Sequence, residues 1–414
     1  MLVGNGPSVA AAQEAAPTGS APLTLTDCYR MALKQSEAIA IRRELIEESQ
    51  ARFTQALSGV LPRVSFSSMD KRQDGNGSSA FTRRELPERK FIFTQPLFSG
   101  FKEFAAMAGT KAEKRQRIQE RVRAEQLLFL DVADAFTLFL EEQEDLGVLE
   151  AIEGLLVERI DELKVREQLG RSRSSEVVSV EAQLYRLRAE VELLQSRKTV
   201  ARQLLEFLTG RQRIEAVVDS DPFPPPVDDE EQYLSKSLSR ADVHAAQEAA
   251  LAAQKEIRIA QADFWPDVNL EGNYFLERSG AAKEVEWDAA LKVEVPIFQG
   301  GQTAGAVRQA SSQAAQAQLK LNEIRRRVVQ EIRDAYTHLR AAIGRYFALE
   351  KALESTELAY RFHVEEYRLN LVSNLEALQS LQTFQDARRD LIHAHYEVKR
   401  LYWQLKAAAG EIEP

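Results

Sequence analysis

A single cysteine, Cys28, stands in 414 residues, so an internal disulfide framework is impossible. Its amphipathic surroundings suit a small packed thiol. Glycine and proline are scarce, at 19 and 13, while Ala, Glu, Gln, Arg and Leu abound. That is the profile of long helices, not of ordinary globules. No stretch approaches the ~18 consecutive apolar residues of a transmembrane helix. This excludes a helical membrane protein but not a β-barrel, whose strands give a far weaker signal. Positive charge is not in excess either: the net charge is −9 and the pI near 5.4. No basic patch is interleaved with aromatics, so nucleic acid is not an expected partner. The 5 histidines (His244, His338, His363, His393 and His395) are scattered. His393 and His395 leave a helix in different directions, so no metal site is expected there. No Gly-rich phosphate loop, Ser/His/Asp order or zinc spacing occurs, so neither a catalytic centre nor a cofactor is expected.

What the chain does contain is a duplication. Residues 62–210 and 266–410 read as one element written twice. Pro96-Leu97-Phe98-Ser99-Gly100 answers to Pro296-Ile297-Phe298-Gln299-Gly300, and Asp134-Ala135-Phe136 to Asp334-Ala335-Tyr336. Glu176 answers to Glu376, Arg188 to Arg388 and Gly210 to Gly410. Each copy opens with a short alternating stretch and runs into a very long helical one.

The order along the chain follows. Residues 1–22 are Ala-, Gly-, Pro- and Ser-rich and predict disorder. Ala10-Ala11-Ala12 has the small residues of a signal-peptidase site, but no charged or apolar region precedes it. Either the gene start or most of a leader is therefore missing. The first repeat, 23–210, predicts a helix over about 26–58 capped by Thr26 or Asp27. A strand pair over 62–98 follows, then a long helix over 101–168 and a return helix over 175–208. The long helix holds no proline over roughly 65 residues, about 100 Å at 1.5 Å per residue. Leu149, Ile152, Leu156, Ile160 and Leu163 form a coiled-coil seam along it. Residues 211–237 are a proline-rich and acidic linker, with Pro222, Pro224, Pro225 and Pro226 forbidding a continuous helix. The acidic run 228–231 reads as solvated. The second repeat, 238–410, predicts a helix to about residue 263, strands over 267–296, a long helix over 302–368 and a return helix over 374–409. Residues 411–414 form a tail. Each long helix is about twice its return helix, and the short helices 26–58 and 238–263, stacked end to end on the return helices, would complete a hollow wall.

Four strands of membrane-crossing length alternate apolar and polar faces. Trp287, Ala289, Leu291, Val293 and Val295 share one face, with Asp288, Lys292 and Glu294 opposite. Those charges are costly against lipid and cheap against a wet lumen. Four strands cannot close a barrel, and an open edge in lipid leaves backbone groups unsatisfied at several kcal/mol each. Oligomerisation follows, and a lumen wide enough for solutes favours three copies over two. Gly300-Gly301, with Pro96, Gly100 and Pro296, reads as strand-to-helix bends.

With these features the chain resembles the TolC-type outer-membrane efflux family over about residues 23–410. The resemblance rests on Leu23-Thr24-Leu25 with its helix and on Arg240-Ala241-Asp242-Val243-His244-Ala245-Ala246, where alanine replaces the family's proline. It rests equally on Trp265-Pro266-Asp267-Val268-Asn269-Leu270 and Val295-Pro296-Ile297-Phe298-Gln299-Gly300-Gly301. It implies an α+β membrane protein: a homotrimer sharing one twelve-stranded outer-membrane barrel continued by a periplasmic α-helical tunnel. Its partners would be outer-membrane lipid, a periplasmic adaptor and an inner-membrane pump in a Gram-negative cell. The family's periplasmic tips fall at Gly170–Val178 and Asn370–Gln379, with Gly170, Ser172, Asn370, Leu371 and Ser373 as docking turns. Asn370 replaces a common glycine but tolerates the left-handed conformation. The acidic constriction maps to Glu376, with Gln379 where a second acid often stands. A tip lock maps to Tyr367 and Glu176, and the arginine that often joins it is replaced by Val372.

The expected function is a passive exit duct for efflux or type I secretion. A soluble coiled-coil scaffold is the alternative. It would explain the helices but not the alternating, proline-bounded strands.

Overall fold

The computed structural model describes residues 22–79, 82–369 and 371–412. The expected disorder of the N-terminal segment and the expected turn at Asn370 lie outside the described residues. Thr24, not Thr26 or Asp27, caps the first helix. The Asp27 amide donates to Thr24 Oγ1 at 3.2 Å, and Asp27 Oδ2 accepts from Thr24's amide and hydroxyl. That reciprocal arrangement is a capping box. The helix is also broken. α1 (Leu25–Gln35) stops, and α2 (Glu37–Ser58) restarts on Ser36, whose hydroxyl accepts from the Ile39 amide at 3.4 Å. β1 (Arg63–Arg72) and β2 (Glu85–Ser99) make the first hairpin. α3 (Lys102–Gln168) and α4 (Ser174–Thr209) complete the repeat.

The linker is partly built: α5 (Glu230–Ser235) and a 3-10 turn at Ser237–Ser239 occupy its acidic end. The acidic run is thus half a helix N-terminus, where carboxylates are favoured. The proline-rich part is pinned too. Phe223 packs between the rings of Tyr346 and His395, and Lys399 pairs with Asp219. The second repeat follows with α6 (Ala241–Ala262), β3 (Asp267–Arg278), β4 (Trp287–Glu294), α7 (Gln302–Arg368) and α8 (Asn374–Ala409). The copies match in length: α3 and α7 have 67 residues each, α4 and α8 have 36, and α2 and α6 have 22.

Two compact units cut across the repeats. Among the described residues, one comprises 22–35, 131–226 and 343–400, and the other 36–130, 227–342 and 401–412. In the first, the predicted seam is the core. Leu149, Ile152, Leu156, Ile160 and Leu163 are buried against Val177, Val180, Leu184, Leu187, Val191 and Leu194 of α4, joined by Leu378 and Leu381 of α8. α4 ends at left-handed Gly210, where a Cβ would lie 2.7 Å from the Gln35 side chain.

In the second unit, the four strands form one antiparallel sheet in the order β1-β2-β3-β4. Val64, Phe66, Phe91, Phe93, Leu291 and Val293 lie on its apolar face and are exposed. No helix among the described residues is long and apolar enough to cross a membrane. The start of α6 meets the end of α8 through Arg240, which is 2% exposed. Its guanidinium grips Asp242 at 2.7 and 2.6 Å, Glu331 at 2.6 Å and the Ala408 carbonyl at 3.0 Å. A cation on the last carbonyls of a helix stabilises that end. Ala241 is the first helical position, where proline is welcome but alanine loses nothing.

Candidate functional site

The predicted tip turns are built alike. At the first, the Arg171 amide donates to the Arg166 carbonyl at 2.8 Å and the Gly170 amide to Glu167 at 2.9 Å, with Gly170 at φ +68°. This is the Schellman closure of a helix, which needs a left-handed residue. At the second, the Leu371 amide donates to the Glu366 carbonyl at 2.8 Å, the same long closure.

The return helices start differently. Ser373 caps α8: its hydroxyl accepts from the Glu376 amide at 3.3 Å, while Glu376 accepts from the Ser373 amide at 2.7 Å and hydroxyl at 2.8 Å. These bonds, the backbone one foremost, hold the Glu376 carboxyl below its ordinary range. Glu376 is exposed and shares a cleft with Gln379, His363 and Thr383. Arg173, before α4, makes no side-chain cap. Ser172 instead donates to Glu176 at 2.8 Å.

The Tyr367–Glu176 pair that the resemblance implies is not bonded here. The Tyr367 ring is buried, with the guanidinium of Arg159 3.7 Å from its centroid and that of Arg166 at 4.7 Å. Arg159 also donates to Asn374 Oδ1 at 3.2 and 3.1 Å and to Glu162 at 2.7 Å. Asn374 is 5% exposed. One arginine on α3 thereby holds the last turn of α7 and the first residue of α8. Cation–π contact and forked hydrogen bonds both suit a planar guanidinium. Val372 stands where the resemblance puts a lock arginine, and sequence reasoning did not single out Arg159. Arg159 is one of many charges on a long helix and carries no spacing signal.

Above the tips, ionised groups tie α3 to α8. Arg389 forks onto both oxygens of Asp145 at 2.6 and 2.9 Å and reaches Glu190 at 2.5 Å. Asp145 is 1% exposed, and its hydrogen bonds raise the guanidinium's pKa. His393 Nδ1 sits 2.6 Å from Glu141, which also meets Arg400. The Glu141 hydrogen bond raises the His393 pKa against the opposing effect of burial. His395 points to Phe223 instead, so the two histidines diverge as their spacing predicts. Cys28 is fully buried, and burial pushes its thiol up to about 11.

Left-handed glycines stand at both strand-to-helix bends. Gly100 turns at φ +64°, and a Cβ there would lie 2.7 Å from the Ala262 carbonyl oxygen. Pro96 sits at a register shift between β2 and β3. Gly300 has the same turn, at φ +61°, and Pro296 lies beyond the end of β4.

An open-edged sheet with an uncovered apolar face, feeding paired helical hairpins, defines the protomer of an outer-membrane channel. The outer membrane efflux protein family model matches residues 28–211 and 235–411, and the chain belongs to that family. Outer membrane protein TolC of Vibrio cholerae is 22% identical over 403 residues, 94% of this chain and 91% of that protein. The alkaline protease secretion protein AprF of Pseudomonas aeruginosa is 23% identical over 94% of this chain and 85% of its own length. The crystal structure of the outer membrane protein VceC from Vibrio cholerae superposes with a TM-score of 0.81 at 21% identity, covering 93% of this chain and 96% of that one.

Proposed function

We propose that this outer-membrane efflux protein is the exit duct of a tripartite machine, conducting passively what an inner-membrane pump and a periplasmic adaptor deliver. The observation that carries it is the sheet. Its four strands leave β1 and β4 each with one unpaired edge and its apolar face uncovered. Such edges are tolerable in lipid only once a barrel closes, and three copies supply twelve strands. A soluble scaffold would leave that face to water.

The tip turns are the adaptor-docking and gating elements of this reading. A polar groove lined by Leu149, Ile152, Gln183, Arg186, Gln379 and Gln382 suits a docking helix beside them. Glu376, exposed and ionised, forms an acidic ring around a three-fold axis at the entrance, with Gln379 next to it. Two kinds of relative bracket the cargo: one is named for protease secretion and another, CusC of Escherichia coli, for cation efflux.

The test is mass measurement of the detergent-purified protein together with co-purification of adaptor and pump from the native cell. A trimer that carries both is expected. A stable water-soluble monomer would sink the duct.

A further inference from the structure

His393 of α8 stands between two carboxylates of α3, one at each ring nitrogen. Nδ1 lies 2.6 Å from Glu141 Oε1, and Nε2 lies 3.8 Å from Asp145 Oδ2. An ionised carboxylate only accepts, so Glu141 requires a proton on Nδ1. In the neutral ring Nε2 then turns a lone pair toward Asp145. The imidazolium suits both neighbours.

The surrounding charges favour the same state. Asp145 takes the Arg389 fork, Glu141 pairs with Arg400, and Arg389 reaches on to Glu190 of α4. Three carboxylates thus meet two guanidiniums, and a protonated His393 makes the balance even. The other neighbours do not replace it. Glu142, also on α3, is pushed up by burial beside Arg197 of α4, and its Oε2 is buried without a hydrogen-bond partner. Glu144 accepts from Tyr396, and Glu397, one turn beyond His393, is taken by Arg345 of α7 at 2.7 Å. The His393 side chain is 43% exposed, so it exchanges protons with the surrounding water.

The duplication does not repeat this joint. At an offset of 200 residues, Glu141 and Asp145 answer to Ala341 and Arg345, while Arg389, His393 and Arg400 answer to Ala189, Leu193 and Val200. Charges present in one copy only are not needed to build the helices. They sit where they have leverage. α8 runs unbroken from Asn374 to Ala409, and at 1.5 Å per residue His393 lies about 28 Å along it from Asn374. The foot of the same helix is tied to α3 by Arg159. α8 therefore has two ties to α3, and the upper one carries a titratable ring.

We propose that His393 is a proton-operated clasp between α3 and α8: protonated, it keeps the entrance narrow, and deprotonated, it lets α8 and its tip swing free. This deepens the duct reading and rests on it. The Glu141 hydrogen bond raises the imidazole pKa, so the clasp is complete below the ordinary value of 6.5 and is lost as the pH rises through the raised one. Glu376 titrates in a different window. Its carboxyl is held below the ordinary range, so it stays ionised while His393 changes.

Single-channel records in planar bilayers test this, with the pH on the periplasmic side taken from about 5 to about 8.5. Wild type should open several-fold more often at the alkaline end. His393→Gln, neutral at every pH, should open at that higher rate throughout. His393→Lys, charged throughout, should stay at the lower one. His363→Gln, which removes the histidine beside Glu376, should leave the rise in place. Mass measurement establishes the trimer for each chain, and if His393→Gln does not assemble, His393→Lys decides. A rise that survives either substitution at His393, a rise abolished by His363→Gln, or no rise in wild type overturns the clasp and leaves the duct standing. Intact trimers that pass no current overturn both.

Discussion

Replacing Arg159 by alanine should release the tips. The Arg159 side chain is only 17% exposed, so solvent screens its contacts little. It lies 3.7 Å from the Tyr367 ring centroid, an arrangement worth about 0.5–2 kcal/mol. Its two hydrogen bonds satisfy Asn374, which is 5% exposed, and leaving such an acceptor bare costs about 1–3 kcal/mol. Together these give about 1.5–5 kcal/mol favouring the held geometry. At about 1.4 kcal/mol per decade, the population of released tips should rise roughly 10- to 4,000-fold. Amide exchange over residues 361–378 should speed up by a similar factor, and single-channel records in planar bilayers should show more frequent or larger openings. Arg159→Lys keeps the charge but loses the fork, and should fall between. If Arg159→Ala leaves both exchange and conductance unchanged in an intact trimer, Arg159 does not hold the tips, and the energetic reasoning fails with it.

Further outcomes follow from the same geometry. Glu376→Gln should weaken cation preference and any block by multivalent cations from the periplasmic side; because Ser373 holds the Glu376 carboxyl below its ordinary range, the wild-type preference should persist into mildly acid solution. Leu156, 2% exposed in the seam, should lose about 2–5 kcal/mol as alanine, read as faster exchange confined to the unit of α3, α4 and α8 around it. The His393–Glu141 pair has a raised imidazole pKa, so its contribution from His393 is full below the ordinary value of 6.5 and is lost as the pH rises through the raised one. His393→Ala should therefore lower stability most at mildly acid pH and flatten its dependence through neutrality, as followed by thermal denaturation at fixed ionic strength.

Much of the protomer was legible because its determinants are local and periodic. Alternation marked the strands, 3-4 spacing marked the seam from Leu149 to Leu163, and the repetition of Pro96–Gly100 at Pro296–Gly300 exposed the duplication. Gly170 marked one tip because closing a helix needs a left-handed residue there. The break at Ser36 was not legible, since Ser36 interrupts a helix-forming stretch without glycine or proline and acts only through its bond to Ile39. The capping box of Ser373 and Glu376 has a readable spacing, but Glu376 was read for its charge alone. Tertiary structure alone decided that Arg159 meets Tyr367 and Asn374. It also decided that Arg240 grips the end of α8, and that β2 meets β3 with a shift at Pro96. Those contacts join residues far apart in the chain, and a side chain's helical phase does not say which distant neighbour it will find. The sequence determined the elements and their symmetry through short-range sterics and periodicity. The fold decided the partners, because partnership depends on where long helices and strands finally lie.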